Sequence, residues 1–483
     1  MNPQIRRVFL VVLGLFAMLG ISVTWVQFVQ APDLVADSRN ARRYLEAAER
    51  DRGPIIVAGS PVAFSEREDD STRFQRSYPE GDLYAAVTGY FSAVNLSATG
   101  MEAAESSVLE GEGSTLFWQR MRSLIAGKPR QGGGVVTTIN PDLQRSAADL
   151  LGSNPGAVVV LDAKTSAVRA LYSSPSFDPN PLSSLDTSIA AEAAATLEAD
   201  PARPLDNRAI AGNRYAPGSV FKIITTAALL EAGVSPNTNV EAPVSTVLPN
   251  TDTSISNVDQ SECGDGNPTL TEAFARSCNT AFVIESQTLS EGALAEMAER
   301  FGFGETFKIP LTVTPSTFPA NVDAAQLAMS SIGQFEVQAT PMQMAMVTQS
   351  IANGGEMMEP FMVESIVDAD NQVRSTTDPR SIGNPVSASI ASEIGSMMVA
   401  AVNESYGSGQ AAALSNIQVA AKTGTAEVGD GARTNAWTVA YAPADDPQLV
   451  VAVLVEGTDA RPAPHGGDVA APIAGTLLEV GLR

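Results

Sequence analysis

The chain has 483 residues and 44% of them are hydrophobic, enough for two or three domains with separate cores and too apolar for a wholly disordered protein. Thirty basic against 54 acidic residues give a formal charge of −24, spread over the length, so no nucleic acid partner is expected. One histidine, His465, and two cysteines, Cys263 and Cys278, cannot furnish a zinc site without heavy use of carboxylates, so no metal is predicted.

Residues 8–26 carry no charge and, at about 1.5 Å per helical residue, can cross a hydrocarbon core of roughly 30 Å. The segment is predicted to be one transmembrane helix. Arg6 and Arg7 before it place the amino terminus in the cytoplasm and the remainder outside, a bias that Arg39, Arg42 and Arg43 weaken. A cleaved signal peptide competes, with Val29-Gln30-Ala31 as a loose cleavage site, but the apolar stretch is long for one and cleavage would leave Pro32 first. Residues 1–32 are therefore assigned to a cytoplasmic stub and a single-pass anchor in the cytoplasmic membrane, with everything after them extracytoplasmic.

Within residues 33–149, assigned to one module, the stretch from Asp33 to about Gly134 is acidic and broken by Gly, Pro and Ser, with short strand-like runs at Ile55–Val57 and 84–87. They are expected to form a small, elongated, β-rich, non-catalytic module. Gln131-Gly132-Gly133-Gly134 reads as a hinge into a strand at 135–139, and the boundary is placed near residue 150. In residues 150–483, runs at 157–161 and 167–172 read as strands about a turn, and Leu449–Val455 as a further strand. Helical patterns cover 219–232, 270–287 and 343–352, with a terminal helix over 469–480. Strands at both ends with helices between them imply an α+β domain whose sheet pairs its two termini.

The chain has only five lysines, so a lysine in an apolar stretch is informative. Tyr215-Ala216-Pro217-Gly218-Ser219-Val220-Phe221-Lys222 opens a helix in which Val220, Ile223, Ile224, Ala227 and Ala228 recur at helical spacing. Ser219 at its amino end meets the helix dipole and free backbone N–H groups, which favour negative charge developing on a bound substrate. Lys222 lies one turn on, and its apolar surroundings favour the neutral amine that could serve as a base for Ser219. Alone, this pattern also fits a helix-capping serine with a snorkelling lysine.

Fifty-eight residues on (277 − 219), Ser277-Cys278-Asn279 offers a hydroxyl and an amide two residues apart, suited to relaying a proton and holding an amide backbone. Lys422-Thr423-Gly424-Thr425 follows an apolar run and places a cation, two hydroxyls and a glycine on a strand along which a peptide could lie. By themselves these read as a polar turn and a strand with a glycine bulge. Together, in this order, they match the Ser-x-x-Lys, Ser-x-Asn, Lys-Thr-Gly signature of class A β-lactamases and penicillin-binding proteins. The lone His465 has no Gly-x-Ser-x-Gly elbow to serve, which argues against a Ser-His-Asp hydrolase and leaves it as a loop residue.

Beyond these motifs the chain resembles, over nearly its whole length, the class B, monofunctional penicillin-binding proteins, above all their actinobacterial division type. Arg52-Gly53-Pro54-Ile55 resembles the start of the family's first module, and Asn207-Arg208-Ala209 the segment before its nucleophile. Ser331-Ile332-Gly333-Gln334, Thr340-Pro341-Met342-Gln343 and Ile351-Ala352-Asn353-Gly354-Gly355 resemble further family blocks. Ala216 stands where a second proline is common, and Asn435 where the family often has histidine.

The resemblance implies the penicillin-binding, serine transpeptidase fold: an antiparallel sheet flanked by helices, preceded by the β-rich module and the anchor. It implies a peptidoglycan D,D-transpeptidase in which Ser219 is acylated, Lys222 is its base, Ser277 and Lys422 relay the proton and Asn279 binds substrate. The backbone N–H groups of Ser219 and Thr425 would form the oxyanion hole. Substrates would be stem peptides ending in D-Ala-D-Ala, whose carboxylate Thr423, Thr425 and Lys422 would meet along the strand containing Gly424, and β-lactams would trap the acyl-enzyme. No cofactor is implied. The partner implied is a polytopic membrane glycosyltransferase of the cell-shape and division group. A Cys263–Cys278 bridge would stiffen the loop carrying Ser277 and Asn279; the alternative is two free buried thiols.

A β-lactamase would need a group that activates water, and no Glu-x-x-Leu-Asn element follows Asn279. A glycosyltransferase module would need its own histidine motifs, and no histidine precedes Ser219. A D,D-carboxypeptidase, or a β-lactam or muropeptide sensor of the same fold, remains the alternative function, because the three motifs serve all of these.

Overall fold

The structure is a computed structural model, and it describes residues 3–26, 30, 44, 48–67, 72–116, 121, 131–212, 214–429 and 433–483. The expected anchor-to-module boundary at residue 32, the Val29-Gln30-Ala31 cleavage site (apart from Gln30) and the arginines at 39, 42 and 43 lie outside the described residues. Pro3–Thr24 is a 22-residue helix with no buried residue. Its length and apolar surface suit a membrane span.

Five antiparallel strands form the main sheet, in the order Ala420–Val428, Arg433–Ala442, Leu449–Val455, Gly156–Asp162 and Val168–Ser174. The two ends of the domain thus pair directly, Val451 opposite Val160 and Val453 opposite Val158. Leu449–Val455 is central and all seven of its residues are buried, as expected of a continuous apolar strand covered on both faces. Side chains alternate between two cores. Val158, Val160, Val451 and Val453 pack on one face with Leu477 and Leu478 of the terminal helix Ala471–Gly481 and Leu143 and Leu151 of helix Pro141–Leu151. Val159, Leu161, Val439 and Val450 face the larger core, with helices Lys222–Glu231, Pro341–Ala352 and Ala388–Asn403. Every residue of Pro341–Ala352 is buried.

A second, six-stranded sheet runs in the order Val373–Thr376, Val363–Val367, Gly134–Thr137, Ile55–Val57, Ser60–Arg67, Phe74–Ser77. Its first two strands come from the middle of the chain, so hydrogen bonding crosses the boundary placed near residue 150. Arg52 gains a physical reason here. Its guanidinium, 2% exposed, bonds Glu102 at 2.6 Å and Glu110 at 2.7 Å, while Arg76 bonds the other oxygen of Glu102 at 2.5 Å. Burial raises the Glu102 carboxyl, but Arg76 and Arg52 outweigh it and hold the group below its usual range. Gly53 follows because an added Cβ would fall 1.9 Å from Gly133 O.

Two expectations change. Residues 84–87 lie not in a strand but in helix Gly81–Thr88, with Leu83 and Val87 buried on one face. Four apolar residues are too few to tell period 2 from period 3.6, and packing against Val168–Ser174 decided it. The helix expected over 270–287 is two helices, Leu270–Arg276 and Asn279–Ser286, separated where Ser277 turns left-handed at φ 67°. Cys278 N–H then reaches back to Ala273 O at 2.9 Å, closing the first helix and aiming the next residues elsewhere.

Candidate active site

The three motifs converge on a cleft of about 380 Å³ lined by Ser219, Ser277, Asn279, Thr423, Gly424 and Thr425, among others. Ser219 sits in the 3₁₀ turn Gly218–Phe221, which runs straight into helix Lys222–Glu231. Two glycines let that turn approach its neighbours. Gly218 adopts φ 55° and its N–H bonds Gly333 O at 2.9 Å. Gly424 faces the same turn: a Cβ there would meet Val220 N at 3.0 Å and Pro217 O at 3.1 Å. The bare face of Gly424 thus admits the turn that carries Ser219. The Ser331-Ile332-Gly333-Gln334 block supplies the other wall, since a Cβ on Gly333 would fall 2.1 Å from Gly218 O.

The break after Leu270–Arg276 brings Ser277 between two lysines, Lys222 and Lys422, both 0% exposed. Lys222 Nζ donates to Ser277 O at 2.8 Å, Cys278 O at 3.1 Å and Asn279 Oδ1 at 2.9 Å. Lys422 Nζ donates to Ser277 Oγ at 2.8 Å and Thr423 O at 3.0 Å. Each ammonium also faces an aromatic ring, Lys222 over Phe282 at 5.2 Å and Lys422 over Phe274 at 5.4 Å. Burial pushes Lys422 down to about 7. Burial, with the nearby charge of Lys422 adding to it, holds Lys222 well below the ordinary lysine value. The site thus makes neutral amine available near neutrality.

Asn279 is held by groups that the sequence did not single out. Asn257 Oδ1 accepts from Asn279 N–H at 2.9 Å and Thr280 N–H at 3.2 Å, and Asn279 Nδ2 donates to Ser256 O at 3.2 Å. Cys263 and Cys278 are joined in a disulfide with Cα atoms 6.0 Å apart, tying the 256–263 segment to the Ser277–Asn279 turn. Thr423 Oγ1 shares a hydrogen bond of 2.8 Å with Ser408 Oγ. Gly466 N–H donates to Thr425 Oγ1 at 3.3 Å. Tyr406, Ser408 and His465 line the cleft as well, and Arg276 stacks 4.7 Å over the Tyr406 ring. Neither Asn257 nor Ser408 lies in a recognisable motif, so no signal in the sequence marks them.

Ala420–Val428 is an edge strand: it pairs with Arg433–Ala442 on one side and with no described strand on the other. Its free edge, beginning at Lys422 and running past Ser219, can accept an extended peptide as an added strand.

A serine at a helix start, a buried lysine pair around a second serine, and an open strand edge define a serine acyl-transfer site of the penicillin-recognising kind. The chain belongs to the penicillin-binding proteins: residues 156–479 match the penicillin binding protein transpeptidase domain, and residues 52–135 the penicillin binding protein A dimerisation domain. It is 42% identical over 494 aligned positions to peptidoglycan D,D-transpeptidase PbpA of Mycolicibacterium smegmatis, covering 100% of this chain and 99% of that protein. PbpA of Mycobacterium tuberculosis is 40% identical with the same coverage. The ceftriaxone acyl-enzyme complex of penicillin-binding protein A from M. tuberculosis superposes with a TM-score of 0.86 at 39% identity, over 91% of this chain and 100% of that one. The corresponding penicillin G complex gives 0.84 at 40% identity, over 90% and 100%.

Proposed function

We propose that this protein is a peptidoglycan D,D-transpeptidase that cross-links stem peptides through an acyl-enzyme on Ser219, and that β-lactams inhibit it by occupying the same residue. The observation that carries this reading is the lysine pair about Ser277 beside Ser219, in a chain whose relatives are named for this activity and form β-lactam acyl-enzymes.

The positions support the following reading of the mechanism. A stem peptide lies along the free edge of Ala420–Val428, its terminal carboxylate toward Thr423, Thr425 and Lys422. Neutral Lys222 takes the proton of Ser219 as Oγ attacks the penultimate carbonyl, and the N–H groups of Ser219 and Thr425 receive the developing oxyanion. Ser277, bonded to Lys422, passes a proton to the departing D-Ala amine. Lys422 re-protonates Ser277. An acceptor amine from a second stem peptide then attacks the ester, its proton passing through Ser277 to Lys422, while Lys222 returns its proton to the departing Ser219 Oγ and the new peptide bond forms. Asn279, fixed by Asn257, holds the substrate amide.

Residues 33–149 serve as a non-catalytic module, consistent with the dimerisation-domain match within them. Pro3–Thr24 anchors the chain in the cytoplasmic membrane, with Arg6 and Arg7 inside and the cleft outside. Glycan polymerisation then falls to a membrane glycosyltransferase partner.

The test is intact-mass analysis of the detergent-solubilised full chain incubated with penicillin G, beside Ser219→Ala. A single persistent adduct on the wild type and none on the variant is expected. Rapid drug hydrolysis would mean a β-lactamase, and no adduct would overturn the mechanism.

A further inference from the structure

A polar cluster that takes no part in the chemistry holds the segment leading into Ser219. Glu456 directly follows strand Leu449–Val455, and its Oε1 accepts from the Tyr215 hydroxyl at 2.6 Å and from Arg208 Nε at 2.8 Å. Arg208 is 3% exposed, and its other nitrogens donate to Arg203 O at 3.1 Å and Ala202 O at 2.8 Å, so its guanidinium is fixed in place. The Glu456 backbone is pinned separately, its N–H to Pro155 O at 2.8 Å.

The residues between this cluster and the nucleophile have little freedom. Tyr215 exchanges backbone hydrogen bonds with Ala339 at 2.9 and 2.8 Å. Its ring meets Trp437 edge-on at 6.3 Å, and Trp437 Nε1 donates to Ala216 O at 3.1 Å. Gly218 N–H is held by Gly333 O. Within this set the Glu456–Arg208 ion pair supplies the charge, and Glu456 joins the sheet, through Arg208 and Tyr215, to the turn that carries Ser219.

We propose that Glu456 is a positioning residue for acyl transfer. By holding Arg208 and the Tyr215 hydroxyl on one oxygen, it fixes where the turn Gly218–Phe221 sits against Ala420–Val428, and with it the approach of Ser219 Oγ to a bound carbonyl. Glu456 does not line the cleft that holds Ser219. Reacting atoms must meet within about 3–3.5 Å, so a small tilt of this turn lowers the rate of bond formation more than the affinity of the first complex. The inference rests on the reading of Ser219 as nucleophile.

The experiment is the concentration dependence of penicillin acylation in the full chain, which separates the dissociation constant of the non-covalent complex from the acylation rate constant k2. Glu456→Gln keeps the shape and removes the charge. Tyr215→Phe removes one hydroxyl and leaves the Arg208 ion pair intact. Each is expected to lower k2 about tenfold or more, with the dissociation constant changed less than about twofold. The double variant is expected to be no slower than the slower single one, because both act through one contact. A merely structural role would lower the melting temperature and the active fraction and leave k2 of the folded molecules unchanged, and that result would overturn the proposal. If Glu456→Gln does not fold, Tyr215→Phe decides alone. A wild type that takes up no penicillin sinks the reading of Ser219 and this inference with it; a normal wild type with unaltered variants sinks this inference alone.

Discussion

Lys422 Nζ lies 2.8 Å from Ser277 Oγ, a contact between residues 145 apart in the chain. On the other side of the same serine, its main-chain carbonyl accepts from Lys222 at 2.8 Å. One residue thus stands between two buried amines, offering its hydroxyl to one and its backbone to the other.

In the proposed mechanism the Ser277 hydroxyl carries the proton to the leaving amine. Ser277→Ala leaves the carbonyl contact to Lys222 in place but cuts the link from Lys422 to the leaving amine. Acylation is expected to slow by about 10²–10⁴, read by stopped-flow uptake of a fluorescent penicillin, with the circular dichroism spectrum unchanged.

The lysine pair should set the pH profile. The proposed mechanism makes neutral Lys222 the base, so acylation should rise with pH, and because the two amines interact, the rising limb belongs to the pair. Lys422→Met removes the neighbouring charge that depresses Lys222, so residual acylation should titrate at higher pH than in the wild type. A limb that stays put or moves down would contradict this assignment of base and neighbour.

Lys422 should also lower stability. Its amine falls from 10.5 to about 7 on folding, through burial. Between those pH values the unfolded chain binds more protons, so stability rises with pH across that window; below about 7 the folded state carries the full cost of a buried ammonium. The shift corresponds to roughly 4 kcal/mol at pH 7. Lys422→Met is expected to raise the melting temperature at pH 6–7 by several degrees, with the gain shrinking toward pH 10, while acylation falls to a small residual rate.

Gly424→Ala tests the close approach of strand and turn. The added methyl would stand 3.0 Å from Val220 N and 3.1 Å from Pro217 O, both backbone atoms that cannot swing away. Acylation should fall, with a stability loss of about 1–3 kcal/mol in urea titration.

The disulfide should stabilise by closing a loop of sequence separation 15. Cys263→Ser/Cys278→Ser is expected to cost about 3 kcal/mol. It should also raise hydrogen exchange at Asn257 and Asn279, the pair linked by the 2.9 Å bond beside it.

Much of the site was legible because its elements are local. Ser219 and Lys222 are three apart on one helical turn, Ser277 and Asn279 two apart, and Lys422 to Thr425 consecutive on a strand. Asn257 was not, because a loop asparagine 22 residues before the residue it holds looks like any turn residue until the loop folds back. Glu456 was equally silent, being one acidic residue among 54. Arg208 stood out as part of a recognisable block, yet its partner, 248 residues away, did not. The helix expected over 270–287 failed at Ser277 because a left-handed turn at a serine has no apolar period to announce it.

The sequence by itself determined the three motifs, the apolar strands that pair the ends of the catalytic domain, the apolar amino-terminal helix and the spacing that allows the two cysteines to meet. Only the tertiary structure decided that both lysines would be 0% exposed and share Ser277, that Gly424 would face the turn carrying Ser219, and that strands Val363–Val367 and Val373–Thr376 would complete the first module's sheet. The division has a physical cause. Periodicity and turn chemistry act over a few residues, whereas desolvation of an amine depends on every chain segment packed around it, and those segments here lie up to 200 residues apart in sequence, from Lys222 to Lys422.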